Sequence, residues 1–322
     1  MDGWLDGVAE VTGALAARRG ERLQSLWSGY GEIVRVHLDG ASVPSVVVKR
    51  VTPPEQPQHP RGWSGARGHA RKLRSYAVEA AFYRAFAKDC DAGCRVPRAW
   101  AVEAEGSGWH FVLEDLDANG FDRRRLDREG SLGHGELRRS LDWLARFHAL
   151  FLGRVPAGLW PVGTYWHLDT RPDELAAMRD VALKAAAPAI DARLRGAPSQ
   201  TLVHGDAKLA NLCFSAEGVA AVDFQYVGGG VGVKDLAYFL GSALDGEALA
   251  REGEGWADHY FGQLADHLTD RGHDAATVVA EWRLLLPLAW ADFERFLDGW
   301  APEHSKRSPY ARAQVEAALD TL

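Results

Sequence analysis

The hydrophobic period of this chain changes once, near Leu116, and that change limits the fold more than any other feature. Before it, short β-type runs are separated by turn residues; after it, apolar residues recur mostly at helical spacing. "GEIVRVHLDG" (31–40) and "PSVVVKRV" (44–51), each bounded by Gly or Pro, are expected to be neighbouring antiparallel strands. "YAVEAAFYRAFAKD" (76–89) places Val78, Phe82, Ala85 and Phe86 on one helical face, and "PRAWAVEAEGSGWHFVLEDL" (97–116) reads as a hairpin with Gly106 and Gly108 in its turn. "LRRSLDWLARFHALF" (137–151) then opens a run of helices. The expected architecture is α+β, with a small sheet-rich lobe over 1–116 and a larger, mainly helical lobe over 117–322.

At 322 residues, 47% hydrophobic and 25% charged, the chain can bury a core large enough for two such lobes. Cys90, Cys94 and Cys213 form neither a C-x-x-C framework nor an even set, so a reducing compartment is expected, the cytoplasm, and no zinc site. The opening "MDGWLDGVAEVTGALAARRG" has no apolar stretch of signal-peptide or membrane-span length. A net charge of −7 supplies no positive field for nucleic acid. Neither a nucleic-acid nor a membrane partner is expected. "TPPEQPQHPRGWSGARGHARKLRS" (52–75) is rich in Pro, Gly and basic residues. It reads either as a mobile surface insertion or as a basic flap over an anionic ligand.

The stretch "LVHGDAKLANLCFS" (202–215) gathers a histidine, an aspartate, a lysine and an asparagine between two apolar runs, in a chain whose only asparagines are Asn119 and Asn211. Phosphoryl transfer needs a carboxylate for the attacking hydroxyl, ligands for a metal on the phosphates, and a cation on the transferring group. Asp206 would accept the hydroxyl proton, Asn211 would present its amide oxygen to magnesium, and Lys208 could reach the transferred phosphoryl. His204 would hold the loop in shape. A second metal carboxylate, Asp223, ends the short apolar run in "VAAVDFQYVGGG". His-x-Asp-x-x-x-x-Asn, a strand and then Asp-Phe is the spacing of a kinase catalytic loop and its metal-binding strand end.

"HGDAKLAN" and "VDFQ" make the sequence resemble the aminoglycoside phosphotransferase and choline kinase-like family, and "DFQ" with "DLAYFL" leans towards its ecdysteroid kinase-like and choline kinase-like branch. The resemblance is concentrated in residues 202–242. It implies a protein-kinase-like two-lobed fold, ATP and magnesium as cosubstrates, and a small-molecule hydroxyl as acceptor. Asp235 would correspond to the family's brace on the catalytic loop. Gly205 stands where protein kinases carry arginine, Gln225 where they carry the glycine of D-F-G, and no A-P-E follows, so a protein substrate is disfavoured.

The amino-terminal lobe offers the counterparts such an enzyme needs. Lys49, inside a strand, could bind the α- and β-phosphates, and Glu79 on the following helix could hold it in place. Gly29 and Gly31 in "WSGYGEIV" could form a turn over the phosphates, although the third glycine of G-x-G-x-x-G is missing. Backbone groups near Glu114 and Leu116 would meet adenine. In "EWRLLLPLAWADFERFLDGW" (281–300), Trp282, Leu286, Trp290, Phe293, Leu297 and Trp300 recur at helical spacing, while Pro287 is expected to kink or break the helix. Trp290 and Asp292 are expected to border a pocket for a cationic acceptor, with Trp282 and Phe293 in the core. The sequence leaves open GTP in place of ATP, an atypical protein kinase, and a nucleotide-binding pseudokinase.

Overall fold

Residues 3–26, 29–54, 65–125 and 132–322 are described by a computed structural model of the chain. It is α+β, with a sheet in the amino-terminal region and helices beyond it. Helix α1 (Trp4–Thr12) precedes five antiparallel strands, β1 (Ala16–Ser25), β2 (Gly31–Asp39), β3 (Ser45–Val51), β4 (Ala99–Glu105) and β5 (Gly108–Glu114), arranged in the order β1-β2-β3-β5-β4. Helix α2 (Gly65–Ala85) lies between β3 and β4 in the chain.

The period of two in β3 sorts its side chains. Val46 and Val48 join Val34, Val36, Leu38 and Val112 in a cluster covered by Val8 of α1. Lys49, one position out of phase, therefore points to the opposite face, towards Phe111 of β5 and Tyr76 of α2. The strands and hairpin expected from sequence are present; Gly108 is the first residue of β5 rather than a turn residue.

Strand β1 and the first half of α2 have no counterpart in the sequence reading. Strand β1, "AARRGERLQS", is almost wholly exposed and lacks apolar alternation; its ladder with β2 holds it. Helix α2 starts at Gly65, not Tyr76, so the basic residues Arg67 to Arg74 are helical rather than part of a loop. Residues 55–64 of the basic segment lie outside the described residues.

The remaining helices are α3 (His134–Leu150), α4 (Pro172–Ala177), α5 (Val181–Arg195), α6 (Val233–Ala243), α7 (Gly246–Asp270), α8 (Ala275–Trp300) and α9 (Pro309–Asp320). The side chains of Asp180, Asp245, Asp274 and Ser308 cap α5, α7, α8 and α9. Short strands bracket the polar loop of interest: β7 (Thr201–Val203) pairs with β10 (Gly228–Gly230), and β8 (Leu212–Phe214) pairs with β6 (Arg123–Arg124) and β9 (Val219–Ala221). Pro287 does not break α8, which continues through it for 26 residues. From Leu288 to Gly299 that helix is buried on every side, polar residues included. Among the described residues no helix is long and apolar enough to cross a membrane.

Candidate active site

The chain leaves β7 at His204, turns, and re-enters a strand at Leu212. The turn requires glycine: Gly205 has φ of +80°, and a Cβ there would run into the Tyr226 carbonyl. No arginine could occupy this position in this backbone. Asp235, fully buried in the first turn of α6, accepts from the backbone N–H of His204 at 2.6 Å and of Gly205 at 3.0 Å. His148 of α3 faces the same carboxylate at 3.2 Å, so the loop is tied to two helices. The His204 Nδ1 accepts from the Asp206 N–H at 3.2 Å, which leaves its Nε2 as the donor to the Val222 carbonyl at 3.1 Å. The imidazole thus links the loop to the residue before Asp223.

Both oxygens of Asp206 are engaged. Oδ1 accepts from the Tyr238 hydroxyl at 2.9 Å; Oδ2 accepts from Lys208 Nζ at 2.9 Å and Asn211 Nδ2 at 3.0 Å. Asn211 Nδ2 also donates to the Asp206 carbonyl at 2.8 Å. With its amide nitrogen committed to Asp206, Asn211 keeps its oxygen as the group available to a cation.

Asp223 follows β9 in the left-handed region, φ +68°, a conformation aspartate tolerates better than most residues. Its Oδ1 accepts from Gln225 Nε2 at 2.6 Å and lies 3.8 Å from Lys49 Nζ. Burial opposes its charge, but Lys49, Lys72 and Lys208 outweigh that and hold the carboxyl below its ordinary value. Lys49 is closed on Glu79 at 2.6 Å, with the Tyr76 and Phe111 rings 5.5 and 5.8 Å from the ammonium. Burial pushes the Glu79 carboxyl up. On Lys49 burial acts the other way, and Glu79 and Asp223 overcome it to keep the ammonium above its ordinary value. Gln225 Oε1 accepts in turn from Lys72 Nζ at 2.8 Å and Ser75 Oγ at 3.1 Å, while Phe224 stacks on Phe82 of α2 at 3.9 Å. The Asp-Phe-Gln segment is therefore fastened to α2 by a ring stack and a hydrogen-bonded amide.

The structure brings Lys49, Glu79, Asp223, Asp206, Lys208 and Asn211 into one continuous set, with His204 behind them. Gly29 lies in the β1–β2 turn, whose Trp27 and Ser28 are outside the described residues, and Gly31 opens β2. Gly31 has φ of +129°, and a Cβ there would run into the Arg50 carbonyl, so strand packing alone demands it. Glu114 ends β5, its N–H donating to the Arg98 carbonyl at 2.8 Å and its carboxylate paired with Arg95. Between it and Leu116, Asp115 accepts from Arg35 at 2.6 Å and Ser45 at 2.7 Å, which pins the connecting strand to the sheet.

Trp290 and Asp292 do not border an accessible pocket. Each is 1% exposed. Asp292 is neutralised by Lys234 at 3.1 Å and Arg295 at 2.7 Å and accepts from the Trp166 indole at 3.0 Å; Trp290 packs edge-on against Tyr310. Trp282 and Phe293 are in the core as expected. Conversely, Tyr238, Lys72 and Gln225 carry contacts that sequence reasoning assigned to none of them. Tyr238 stands three residues after Asp235 on the same helix face, so a signal for it existed.

A sheet whose Lys49 pairs with Glu79 of the following helix, set beside a helical region bearing an H-G-D-x-x-x-x-N loop and an Asp-Phe strand end, defines a protein-kinase-like fold. Residues 166–273 match the sequence model of the ecdysteroid kinase-like family, in agreement with the resemblance carried by the motifs. Among solved structures, the chain is similar to an amicoumacin kinase in complex with AMP-PNP, Ca²⁺ and Ami, at 14% identity and a TM-score of 0.51 over 100% of this chain and 96% of that one. It is also similar to an ethanolamine kinase of Plasmodium vivax, at 10% identity and a TM-score of 0.50 over 94% and 81%. At such identities the likeness is one of fold. No protein of curated function matches the chain in sequence.

Proposed function

We propose that the protein is an ATP- and magnesium-dependent small-molecule O-phosphotransferase, with a nucleotide-binding lobe ending at Leu116 and a catalytic and acceptor lobe beyond it. The observation that carries this reading is the convergence of the closed Lys49–Glu79 pair, Asp223 and the triply hydrogen-bonded Asp206 into one set of neighbouring side chains. Asp206 orients the acceptor hydroxyl and takes its proton as the acceptor oxygen bonds to the γ-phosphorus and the bond from that phosphorus to the β,γ-bridging oxygen breaks. The leaving group is the nucleoside diphosphate. Lys49 holds the α- and β-phosphates, Glu79 fixes Lys49, and Lys208 lies beside Asp206 where the transferred group passes.

Magnesium carried by a nucleotide needs one or two protein oxygens, because phosphates and water complete its shell. The Asn211 amide oxygen, turned out by the two bonds its nitrogen makes to Asp206, and the partly exposed Asp223 carboxylate fit that requirement. Bound there, the ion would neutralise phosphate charge. Gly29, Gly31 and the backbone at Glu114 and Leu116 would enclose the phosphates and the base.

A nucleotide-consumption assay against a library of hydroxylated metabolites and antibiotics tests the reading. Acceptor-dependent ADP release that disappears in Asp206→Asn is the expected result. ADP release that survives this substitution would overturn the assigned chemistry.

A further inference from the structure

Helix α2 carries a row of basic residues, Arg67, Arg71, Lys72 and Arg74, and each reaches the carboxy-terminal region. Arg67 points to Asp173 at 3.7 Å, Arg71 donates to the Thr170 carbonyl at 2.9 Å, Lys72 reaches Gln225 at 2.8 Å, and Arg74 reaches the Leu159 carbonyl at 3.1 Å. Lys72 falls on the same helix face as Glu79, seven residues later, and so belongs to the nucleotide side. Arg71 is turned from that face towards Thr170, Arg171 and the Tyr226 hydroxyl.

Arg71 is the unusual member of the row. Among the described residues it is half-buried with no carboxylate at ion-pair distance, and burial together with the neighbouring Arg171 guanidinium lowers its affinity for its proton. The nearby acidic group, Glu174, is already closed on Arg171 at 3.1 Å. A second guanidinium beside an unneutralised one is costly unless an anion joins them.

The surface from Arg71 to the catalytic aspartate is continuous. Tyr226, against Arg71, meets the ring of Tyr165 at 5.9 Å; Tyr165 meets Tyr238 at 5.6 Å; and Tyr238 donates to Asp206. Tyr165 is held in place by its N–H to the Gly205 carbonyl at 3.1 Å and follows Thr164, whose φ of +95° is strained for a β-branched residue. Tyr165 and Tyr226 are both partly exposed.

We propose that the acceptor is an anion, a hydroxylated molecule bearing a carboxylate or phosphate, whose charge is bound by Arg71 with the Tyr226 hydroxyl while its own hydroxyl lies at Asp206. This rests on the phosphotransferase reading above and assigns its substrate class. A cationic acceptor would meet Asp206, both of whose oxygens are taken, and Asp223, which lies 3.8 Å from Lys49 and is assigned above to the metal.

The test is ADP release with two charge-matched series, glycerate, glycerol and 3-aminopropane-1,2-diol, and glucuronate, glucose and glucosamine, together with a library of hydroxylated metabolites sorted by charge. The best acceptor is expected to be anionic. With that acceptor, Arg71→Gln should raise its KM about tenfold or more while leaving the ATP KM and the melting temperature unchanged, and Arg71→Lys should recover much of the loss. A neutral or cationic best acceptor, or an unchanged KM in Arg71→Gln, overturns the anionic assignment and leaves the phosphotransferase reading standing. No transfer to any acceptor by a protein that still binds nucleotide overturns the phosphotransferase reading and this one with it.

Discussion

Lys49 Nζ lies 2.6 Å from Glu79 Oε2, and the two side chains are 6% and 2% exposed. Breaking a pair this deeply buried leaves one uncompensated group, a loss of roughly 3 kcal/mol, whereas replacing both members with apolar residues avoids it. Lys49→Met should therefore lower both stability and turnover. The double variant Lys49→Met with Glu79→Leu should regain most of the stability and none of the turnover. Urea midpoints and ADP release measured on the same preparations check this; a single variant as stable as the parent would contradict it.

Asp206 receives three side-chain donors, from Tyr238, Lys208 and Asn211. Asp206→Asn should reduce kcat by roughly 10² to 10⁴ with nucleotide affinity intact. Tyr238→Phe removes one donor and leaves the carboxylate, so its kcat should fall by only about tenfold, with an unchanged ATP KM. Equal losses in the two variants would mean that Tyr238 acts on the fold rather than on the aspartate.

Asp223 is the one carboxylate assigned to the metal. In Asp223→Ala, affinity for the magnesium–nucleotide complex should drop by a factor of about 10 to 100. Metal-free nucleotide should bind as well as before or better, since a negative charge has gone. Calorimetry with and without magnesium separates the two, and equal losses in both titrations would remove Asp223 from the metal site.

Glu294 supplies a pH-dependent stability. Burial pushes its carboxyl up to about 7 against the opposing pull of Arg307 at 3.2 Å; Asp298 raises it further and Arg312 opposes, and its Oε1 has no partner among the described residues. The folded protein therefore holds a proton that the unfolded chain releases at its ordinary, lower value. The stability this provides is complete below the unfolded value and is lost as pH rises towards about 7. Between pH 5 and 8 the parent should lose about 1–3 kcal/mol relative to Glu294→Gln. Thermal melts of both proteins at the two pH values measure it, and parallel curves would exclude the effect.

Much of this was legible in the sequence because it depends on short offsets. The alternation of β3 places Lys49 opposite Val46 and Val48 without knowledge of the rest of the chain. The five-residue step from Asp206 to Asn211 is one loop, and its internal bonds are local. The brace from Asp235 spans a longer separation, yet the helix motif announced it.

Tertiary structure alone decided the rest, because each remaining feature depends on which charges meet. The carboxylate of Asp292 looked available for a ligand until Lys234 and Arg295 were found closed on it inside a helix buried all round. The first half of α2 looked like a loop because it packs on backbone carbonyls and polar groups instead of an apolar core, so it carries no hydrophobic period. Periodicity reports what water drives inside; it is silent about a guanidinium such as Arg71, whose neighbours come from distant parts of the chain. The sequence by itself determined the α+β order of elements and the local geometry of the polar loop, and the packing of α2 against the carboxy-terminal region decided which charges surround that loop.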